Sequence, residues 1–226
     1  MKAMILAAGL GTRLQPFTAS HPKALYEVNG KTLLEYAIGH LKTAGIREVI
    51  INVHHFSQQI VDYLHGHDNF GMQIAISDES AELLETGGGL KKSAWFFTGG
   101  DCAVIRNVDI LSDLDLSEMA THHLKNNSIA TLAVRNRETS RYFLFNERMQ
   151  LCGWENRKTG DRQISRNSNS LTSYAFSGIQ IISRGIFPLI TETGKFSLTE
   201  LYLRLAISRK IIGYREAGTV WEDVGK

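Results

Sequence analysis

The sequence predicts an α/β fold, in which a mostly parallel sheet carries helices on both faces. Short apolar or β-branched segments alternate with segments whose apolar residues recur at helical spacing. The predicted strands lie at 1–8, 48–53, 72–77 and 103–105, and the predicted helices lie at 32–44, 57–64 and 91–97. Because parallel strands need a long crossover connection, usually a helix, this alternation favours a parallel sheet. Ligands of such sheets bind beyond the carboxyl ends of the strands.

The first two predicted helices have recognisable ends. Apolar residues recur through 32–44, and Gly45 is a typical residue just past a helix end. Ser57 is a suitable N-cap for the second helix, because its hydroxyl can accept a hydrogen bond from a free backbone N–H. The β-branched run at 48–53 separates the two helices, which completes a strand–helix–strand–helix order.

The second half of the sequence has a different pattern. Strands are predicted at 130–134 and 142–145, an arrangement that suggests a hairpin or meander. Residues 157–172 are rich in Arg, Asn and Ser without a period, so we expect a mobile surface loop there. A strand at 174–182 and an apolar-periodic helix at 198–208 follow.

Composition narrows the class of protein. The 226 residues suit one domain over residues 1–226, and 43% hydrophobic content is ordinary for a soluble globular protein. A net charge of +2 gives no reason to propose nucleic acid as a partner. Cys102 and Cys152 provide no disulfide framework, which favours a reducing cytoplasm. No apolar run approaches the ~20 residues needed to cross a bilayer, so we expect no membrane association.

The opening segment has the residues of a phosphate site. A predicted buried strand at 1–8 runs into Gly9 and Gly11, and glycines let backbone N–H groups approach a phosphate closely. Arg13 ends this loop, and Lys23 adds a second cation on a turn after Pro22. Fixed cations of this kind are what a polyphosphate requires. The segment therefore predicts a nucleotide site at the start of the fold.

Three other interpretations of nearby residues fit less well. The dinucleotide fingerprint requires a third glycine, and Leu14 occupies that position. Gly30 is followed by Lys-Thr as in a P-loop, but Leu25 replaces the required earlier glycine. A secretory leader would begin at Lys2, but its apolar run stops at Gly9 and polar residues follow at once.

Two aspartates are candidate ligands of a magnesium ion, which takes one or two carboxylates plus phosphate oxygens and waters. Asp109 follows the predicted strand at 103–105, and Asp223 lies beside a glycine at 225. Asp101 is a rival to Asp109, but it follows glycines in a predicted turn. We prefer Asp109, since sites lie at the carboxyl ends of strands. The paired histidines that begin at His54 point to opposite faces of a strand, so we expect a structural role.

At several positions the sequence resembles a known enzyme family. Residues 6–14 (LAAGLGTRL) with residues 22–25 (PKAL) resemble the signature of sugar-1-phosphate nucleotidyltransferases. Residues 84–89 (LETGGG), 176–179 (FSGI) and 221–225 (WEDVG) resemble its short bacterial branch, which acts on N-acetylmuramate 1-phosphate. Mannose-1-phosphate guanylyltransferases share much of this pattern. The resemblance covers the whole sequence and implies a Rossmann-like, mostly parallel sheet flanked by helices.

The resemblance also implies roles for individual residues. The nucleoside triphosphate would be bound by Ala8, Gly9, Gly11, Thr12, Arg13, Lys23, Thr86, Gly87 and Gly88. Arg13 and Lys23 would be catalytic, neutralising the departing pyrophosphate and contacting the α-phosphate respectively. The sugar would be bound by Asn107, Glu155, Ser177 and Gly178. Mg²⁺ would be held by Asp109 and Asp223.

The reaction implied is the transfer of a nucleoside monophosphate from a nucleoside triphosphate to a sugar 1-phosphate, with release of pyrophosphate. The first choice is UTP with N-acetylmuramate 1-phosphate or a similar sugar. GTP with mannose or heptose 1-phosphate is the alternative, and a catalytically silent nucleotide-sugar binding protein is another. Residues 1–110 would form the nucleotide-binding half and residues 111–226 the sugar-binding half of a monomer or homodimer.

Overall fold

Helices and strands alternate along the first half of the chain in the computed structural model, which describes residues 1–216 and 220–225. The helices are α1 (Leu33–Thr43), α2 (Ser57–Gly66), α3 (Glu85–Lys92), α4 (Leu116–Lys125) and α5 (Leu198–Ala206). The strands are β1 (Lys2–Leu6), β2 (Glu27–Val28), β3 (Lys31–Thr32), β4 (Glu48–Val53), β5 (Gln73–Asp78), β6 (Cys102–Asn107), β7 (Ile110–Ser112), β8 (Ala130–Arg135), β9 (Arg141–Phe145), β10 (Leu151–Asn156), β11 (Arg162–Ile164), β12 (Thr172–Ser183), β13 (Ile211–Arg215) and β14 (Trp221–Asp223).

A ten-stranded sheet forms the centre of the molecule, and it confirms the predicted fold class. Its main path runs β11-β10-β9-β12-β6-β1-β4-β5, and β8 joins β12 to β13. Strands β6, β1, β4 and β5 are parallel, as the alternation with helices predicted. From β12 outward to β11 the pairs are antiparallel, because hairpin-type connections replace helical crossovers there.

Strand β1 is buried on both faces, which explains its continuous apolar sequence. Ala3 and Ile5 pack in the core under one face, and Met4 packs in the core under the other. Each of these side chains is 0% exposed. Since helices cover both faces, the strand has no polar side, and only its carboxyl end, beyond Leu6, is available to a ligand.

Two local predictions were wrong. A helix was predicted at 91–97, but helix α3 spans Glu85–Lys92 and includes the glycine-rich segment, and only a 3₁₀ turn at Ala94–Phe96 follows it. Three consecutive glycines disfavour a helix in isolation, but here they are buried against other parts of the chain. Residues 157–172 also contain a strand, β11, which pairs with β10. Among the described residues, no helix has the length and apolar character needed to span a membrane.

Candidate active site

A cavity of about 540 Å³ lies at the carboxyl ends of β1, β4 and β6, between the sheet and helices α3 and α5. Its lining comprises Leu6, Ala8, Gly9, Asn52, Leu83, Glu85, Thr86, Asn107, Arg141, Phe143, Phe176, Gln180, Ser197, Leu198, Thr199 and Tyr202. The predicted residues Ala8, Gly9, Thr86 and Asn107 therefore share one cavity, at the edge of the sheet where ligands of parallel sheets bind.

The glycine loop after β1 is shaped by its contact with Lys23. Gly11 has a positive φ of 62°, and a Cβ atom at this position would lie 2.9 Å from Cβ of Lys23. A larger residue would meet both the strained backbone and this contact, so glycine is required. The Thr18 hydroxyl donates to the carbonyl of Gly11 at 2.9 Å, which fixes the loop. Thr12 and Arg13 continue it as a short 3₁₀ turn with exposed side chains.

Lys23 forms an ion pair with Asp109, the predicted metal ligand. Pro22 precedes a 3₁₀ turn that carries Lys23, and the lysine side chain is only 9% exposed. Asp109 follows β6 at its carboxyl end, whereas the rival Asp101 precedes the same strand and is exposed. The geometry therefore associates Asp109, and not Asp101, with the glycine loop.

The C-terminal strand β14 carries Asp223 to the same place. It pairs with β7 so that Asp223 lies opposite Ile110, and the N–H of Val224 donates to the carbonyl of Asp109 at 3.0 Å. A Cβ atom built on Gly225 would lie 3.1 Å from Nζ of Lys23. Lys23, Asp109 and the backbone of β14 at Asp223 thus come together from three distant parts of the sequence.

This pair of carboxylates fits a magnesium ion better than a transition metal. Among the residues that the structure describes, no group of three or more His, Cys, Asp or Glu side chains could hold a metal. Mg²⁺ does not need such a group, because it retains waters and takes phosphate oxygens of the substrate alongside one or two carboxylates. Asp109 and Asp223 would be those two ligands.

Strand β14 is held by Trp221 and two arginines. The indole N–H of Trp221 donates to the carbonyl of Ser177 at 2.9 Å, and the guanidinium groups of Arg135 and Arg137 lie 4.9 and 4.5 Å from its ring. Burial lowers the pKa of Arg137, and attraction to Asp223 opposes this shift. These contacts fix the position of β14 and hence of Asp223.

Ser177 and Gly178 do not line the cavity, although they were predicted to bind the sugar. Ser177 is 0% exposed, and its hydroxyl donates to the carboxylate of Glu216 at 3.0 Å. Gly178 has a positive φ of 80°, and a Cβ atom there would collide with the side chain of Ile110. The two residues contact the turn that carries Asp109 and the indole of Trp221.

Glu155 lies on the other face of the sheet from the cavity. It pairs across the strands with Tyr142, whereas the neighbouring Phe143 lines the cavity. Successive residues of a strand point to opposite faces, so Glu155 and Phe143 diverge. Its carboxylate instead accepts hydrogen bonds from Arg157 and Ser173, at 2.9 and 3.0 Å. The prediction that Glu155 binds the sugar is therefore not supported.

Thr86 lines the cavity, but the two glycines that follow it are buried behind it. The Thr86 hydroxyl accepts a hydrogen bond from the N–H of Leu198 at 2.9 Å. The N–H groups of Gly87 and Gly88 donate to the carbonyl of Phe196, at 2.9 and 3.2 Å. These glycines allow α3 to pack closely on the segment before α5, and Thr86 lines the cavity in front of them.

Two residues of the site had no role in the sequence prediction. Oδ1 of Asn52 accepts the N–H of Ala7 at 2.8 Å, and its Nδ2 donates to Glu79 at 2.8 Å. Glu79 is 0% exposed and also accepts the N–H of Leu84 at 3.1 Å. This chain of hydrogen bonds ties the loop after β1 to the start of α3. The only signal in the sequence is a polar residue near the end of an apolar strand.

A buried arginine supports the turn that carries Asp109. Arg106 is 1% exposed, and its guanidinium donates to the carbonyl of Ile110 and to Nδ1 of His40, the latter at 2.8 Å. Burial lowers the pKa of Arg106 to about 10, although Asp109 attracts its charge. Burial, and then the charge of Arg106, lower the pKa of His40 to about 4, so His40 is neutral at pH 7.

Comparison with known proteins identifies the family. Residues 2–145 match the profile of the nucleotidyl transferase family. The chain is 31% identical, over 99% of its length and 91% of the relative, to the N-acetylmuramate α-1-phosphate uridylyltransferase of Caulobacter vibrioides. It is 27% identical to the mannose-1-phosphate guanyltransferase of Yarrowia lipolytica, over 100% of its own length and 61% of that protein.

Solved structures share the fold. A UDP-glucose pyrophosphorylase complexed with UDP-glucose superposes with a TM-score of 0.80 at 18% identity, covering 99% of this chain and 93% of that one. The inositol-1-phosphate CTP transferase of T. maritima gives 0.78 at 15% identity, covering 99% and 89%. The chain therefore belongs to the nucleotidyl transferase family, and it is an enzyme of the sugar-1-phosphate nucleotidyltransferase type.

Proposed function

We propose that this enzyme transfers UMP from UTP to N-acetylmuramate 1-phosphate or a similar sugar 1-phosphate, with Mg²⁺ as cofactor. The observation that carries the proposal is the convergence of Lys23, Asp109 and Asp223 beside the glycine loop. Similarity to the Caulobacter uridylyltransferase along nearly the whole chain supports this choice of nucleotide and sugar.

In the proposed reaction, a phosphate oxygen of the sugar 1-phosphate attacks the α-phosphorus of UTP. The bond from the α-phosphorus to the bridging oxygen breaks, and pyrophosphate leaves with the electron pair. Such reactions depend on alignment and charge neutralisation more than on covalent participation of the protein. Backbone N–H groups after Gly9 and the cation Arg13 bind the leaving phosphates, and Lys23 neutralises the α-phosphate.

Asp109 and Asp223 would hold Mg²⁺, which neutralises phosphate charge and orients the reacting oxygens when bound. The ion pair with Asp109 holds Lys23 among these carboxylates before substrate arrives. The buried lysine is thus positioned by the same residue that binds the metal. This arrangement reduces the side-chain entropy that Lys23 loses when the phosphate binds.

A second candidate substrate pair is GTP with mannose or heptose 1-phosphate. The Yarrowia guanyltransferase favours it, because its similarity extends over all of this chain. A silent binding protein is disfavoured, since Arg13, Lys23, Asp109 and Asp223 are all present. We also infer a reducing, cytoplasmic location, because Cys102 and Cys152 are both free thiols.

The test is release of pyrophosphate from four nucleoside triphosphates, each combined with several sugar 1-phosphates and Mg²⁺. UTP with N-acetylmuramate 1-phosphate should give the highest kcat/KM. A preference for GTP with mannose 1-phosphate would establish the second candidate, and binding without pyrophosphate release in every combination would indicate a silent protein.

The carboxylate roles are tested by Asp109→Asn and Asp223→Asn, with Asp101→Asn as the matched control. Each of the first two should lower kcat at least ~100-fold while the protein stays folded, because a neutral amide binds Mg²⁺ more weakly than a carboxylate does. Asp101→Asn should leave the activity unchanged, since Asp101 is exposed at the amino end of β6. Full activity of Asp109→Asn or Asp223→Asn would remove that residue from the metal site.

A further inference from the structure

A cation without a protein partner lies at the end of the cavity farthest from the glycine loop. Arg141 begins β9 and lines the cavity on the same face as Phe143. Within residues 1–216 and 220–225, its guanidinium makes no hydrogen bond or ion pair, whereas its backbone N–H donates to the hydroxyl of Thr139. The neighbouring Arg137 and Arg157 are instead anchored, by the carbonyl of Phe176 and the carboxylate of Glu155.

Arg141 is too far along the sheet to share the phosphates bound by the glycine loop. In the order β9-β12-β6-β1, strand β9 lies three positions from β1. At the usual spacing of neighbouring strands, this is roughly 14 Å. The glycine loop leaves the cavity at Gly9, so Arg13 and Lys23 supply positive charge beyond that edge, whereas Arg141 supplies it within the lining at the β9 edge.

The surface between these ends suits a sugar. The rings of Phe143 and Phe176 meet edge to face, 6.1 Å apart, and form an apolar wall. Gln180 adds a polar group to the lining, and Tyr202 lies behind this wall with a buried hydroxyl that has no hydrogen-bond partner among the described residues. An apolar wall with a few polar groups is typical of a site that orients a small ligand.

Negative charge is scarce in this cavity. Among the described residues of its lining, Glu85 is the one carboxylate, and the ammonium group of Lys195 lies 3.6 Å from it. The cavity is therefore complementary to a ligand with negative charge at both ends. A neutral sugar 1-phosphate has its charge at the phosphate end alone, so it would leave Arg141 unsatisfied.

We propose that Arg141 is a specificity-determining residue that binds a carboxylate on the sugar, so that the preferred acceptor is an acidic sugar 1-phosphate. The inference rests on the proposed function and extends it. The planar guanidinium offers two parallel N–H donors that match the two oxygens of a carboxylate. Because the site is open on this side, the carboxylate can belong to a substituent of the ring rather than to the ring itself.

The test compares N-acetylmuramate 1-phosphate with N-acetylglucosamine 1-phosphate, which lacks the carboxylate-bearing ether. In Arg141→Gln, KM for the acidic substrate should rise about 10- to 100-fold with kcat nearly retained, because a charge-assisted hydrogen bond to the substrate is lost. KM for the neutral substrate should not change. In Arg141→Lys, KM for the acidic substrate should rise less than in Arg141→Gln, since lysine keeps the positive charge but lacks the two parallel N–H donors of the guanidinium.

The matched control is Arg148→Gln, which removes an exposed arginine from the turn between β9 and β10 and should change neither KM. Equal effects of Arg141→Gln on both substrates, or no effect on either, would overturn the inference while the proposed function stands. If the wild type preferred glucose 1,6-bisphosphate, the group that Arg141 binds would be a second phosphate and not a carboxylate. That result would also overturn the inference. Absence of turnover with every sugar 1-phosphate would instead overturn the proposed function, and calorimetric binding of N-acetylmuramate 1-phosphate to wild type and Arg141→Gln would still test Arg141.

Discussion

Gly89→Ala should destabilise the protein, although alanine is the better helix former. A Cβ atom at Gly89 would lie 2.6 Å from Oε1 of Glu79 and 3.0 Å from Nδ2 of Asn52. Both neighbours are buried, at 0% and 2% exposure, and cannot move into solvent. The carboxylate of Glu79 must therefore shift away from its donors, Asn52 and the N–H of Leu84.

The expected size follows from these contacts. Each hydrogen bond to the carboxylate contributes about 1.5 to 3 kcal/mol, and the helix propensity of alanine returns about 1 kcal/mol. The free energy of unfolding should fall by about 2 to 5 kcal/mol, which lowers the melting temperature by roughly 4 to 20 °C in a domain of this size. Urea titration and thermal unfolding followed by circular dichroism measure both quantities.

Gly39→Ala is the matched control, because Gly39 is also a helical glycine. It is exposed in α1, and a Cβ atom there would meet nothing within 4 Å. This variant should gain about 0.5 to 1 kcal/mol. A Gly89→Ala protein as stable as the wild type would show that Glu79 does not occupy the buried position described, and the reasoning would fail.

Two further predictions concern buried charge. Burial lowers the pKa of both His40 and His123 to about 4, while the unfolded chain protonates them near 6.5, so the free energy of unfolding should fall as the pH drops from about 6.5 to about 4. Urea titrations across this range measure the free energy of unfolding at each pH. In the double variant His40→Gln/His123→Gln, this free energy should depend less steeply on pH than in the wild type. An equally steep dependence would contradict the lowered pKa values of the two histidines. Arg106→Met should weaken the affinity for Mn²⁺, used in place of Mg²⁺ because it is detected by electron paramagnetic resonance, about 10-fold. The carbonyl of Ile110, next to Asp109, loses its hydrogen-bond donor in this variant, so the turn that carries Asp109 is held less firmly. If Arg106→Met lowered the free energy of unfolding but left the Mn²⁺ affinity unchanged, Arg106 would stabilise the fold without supporting the metal site.

The parts of the fold and site that the sequence could predict depend on local patterns. Strand β1 and its glycine loop are such a case, because an apolar run followed by glycines and a cation occupies consecutive residues. The position of Asp109 could also be predicted, since the end of a predicted strand indicates which edge of the sheet a residue occupies. Whether these residues bind nucleotide and metal remains a prediction.

The parts that failed depend on contacts between distant residues. Helix α3 was missed because three glycines disfavour a helix locally, and only Phe196 and Glu79, packed against them, show why glycine is required. The position of Glu155 away from the cavity could not be predicted, because the face of a strand on which a residue lies depends on register, and a shift of one residue reverses it. Arg141 was overlooked because, in sequence, nothing separates it from an exposed surface arginine.

The position of Lys23 explains why glycines occur at opposite ends of the chain. Gly11 is required because a Cβ atom there would press on Cβ of Lys23, and a side chain at Gly225 would reach Nζ of the same lysine. The lysine is thus enclosed along its length, with Asp109 as its ionic partner. Enclosure fixes the side chain in one place, so in the proposed reaction its charge would need little reorganisation when an anionic phosphate arrives. The two glycines therefore make room for the same chemical group, and the first and last motifs of the sequence pack together around Lys23.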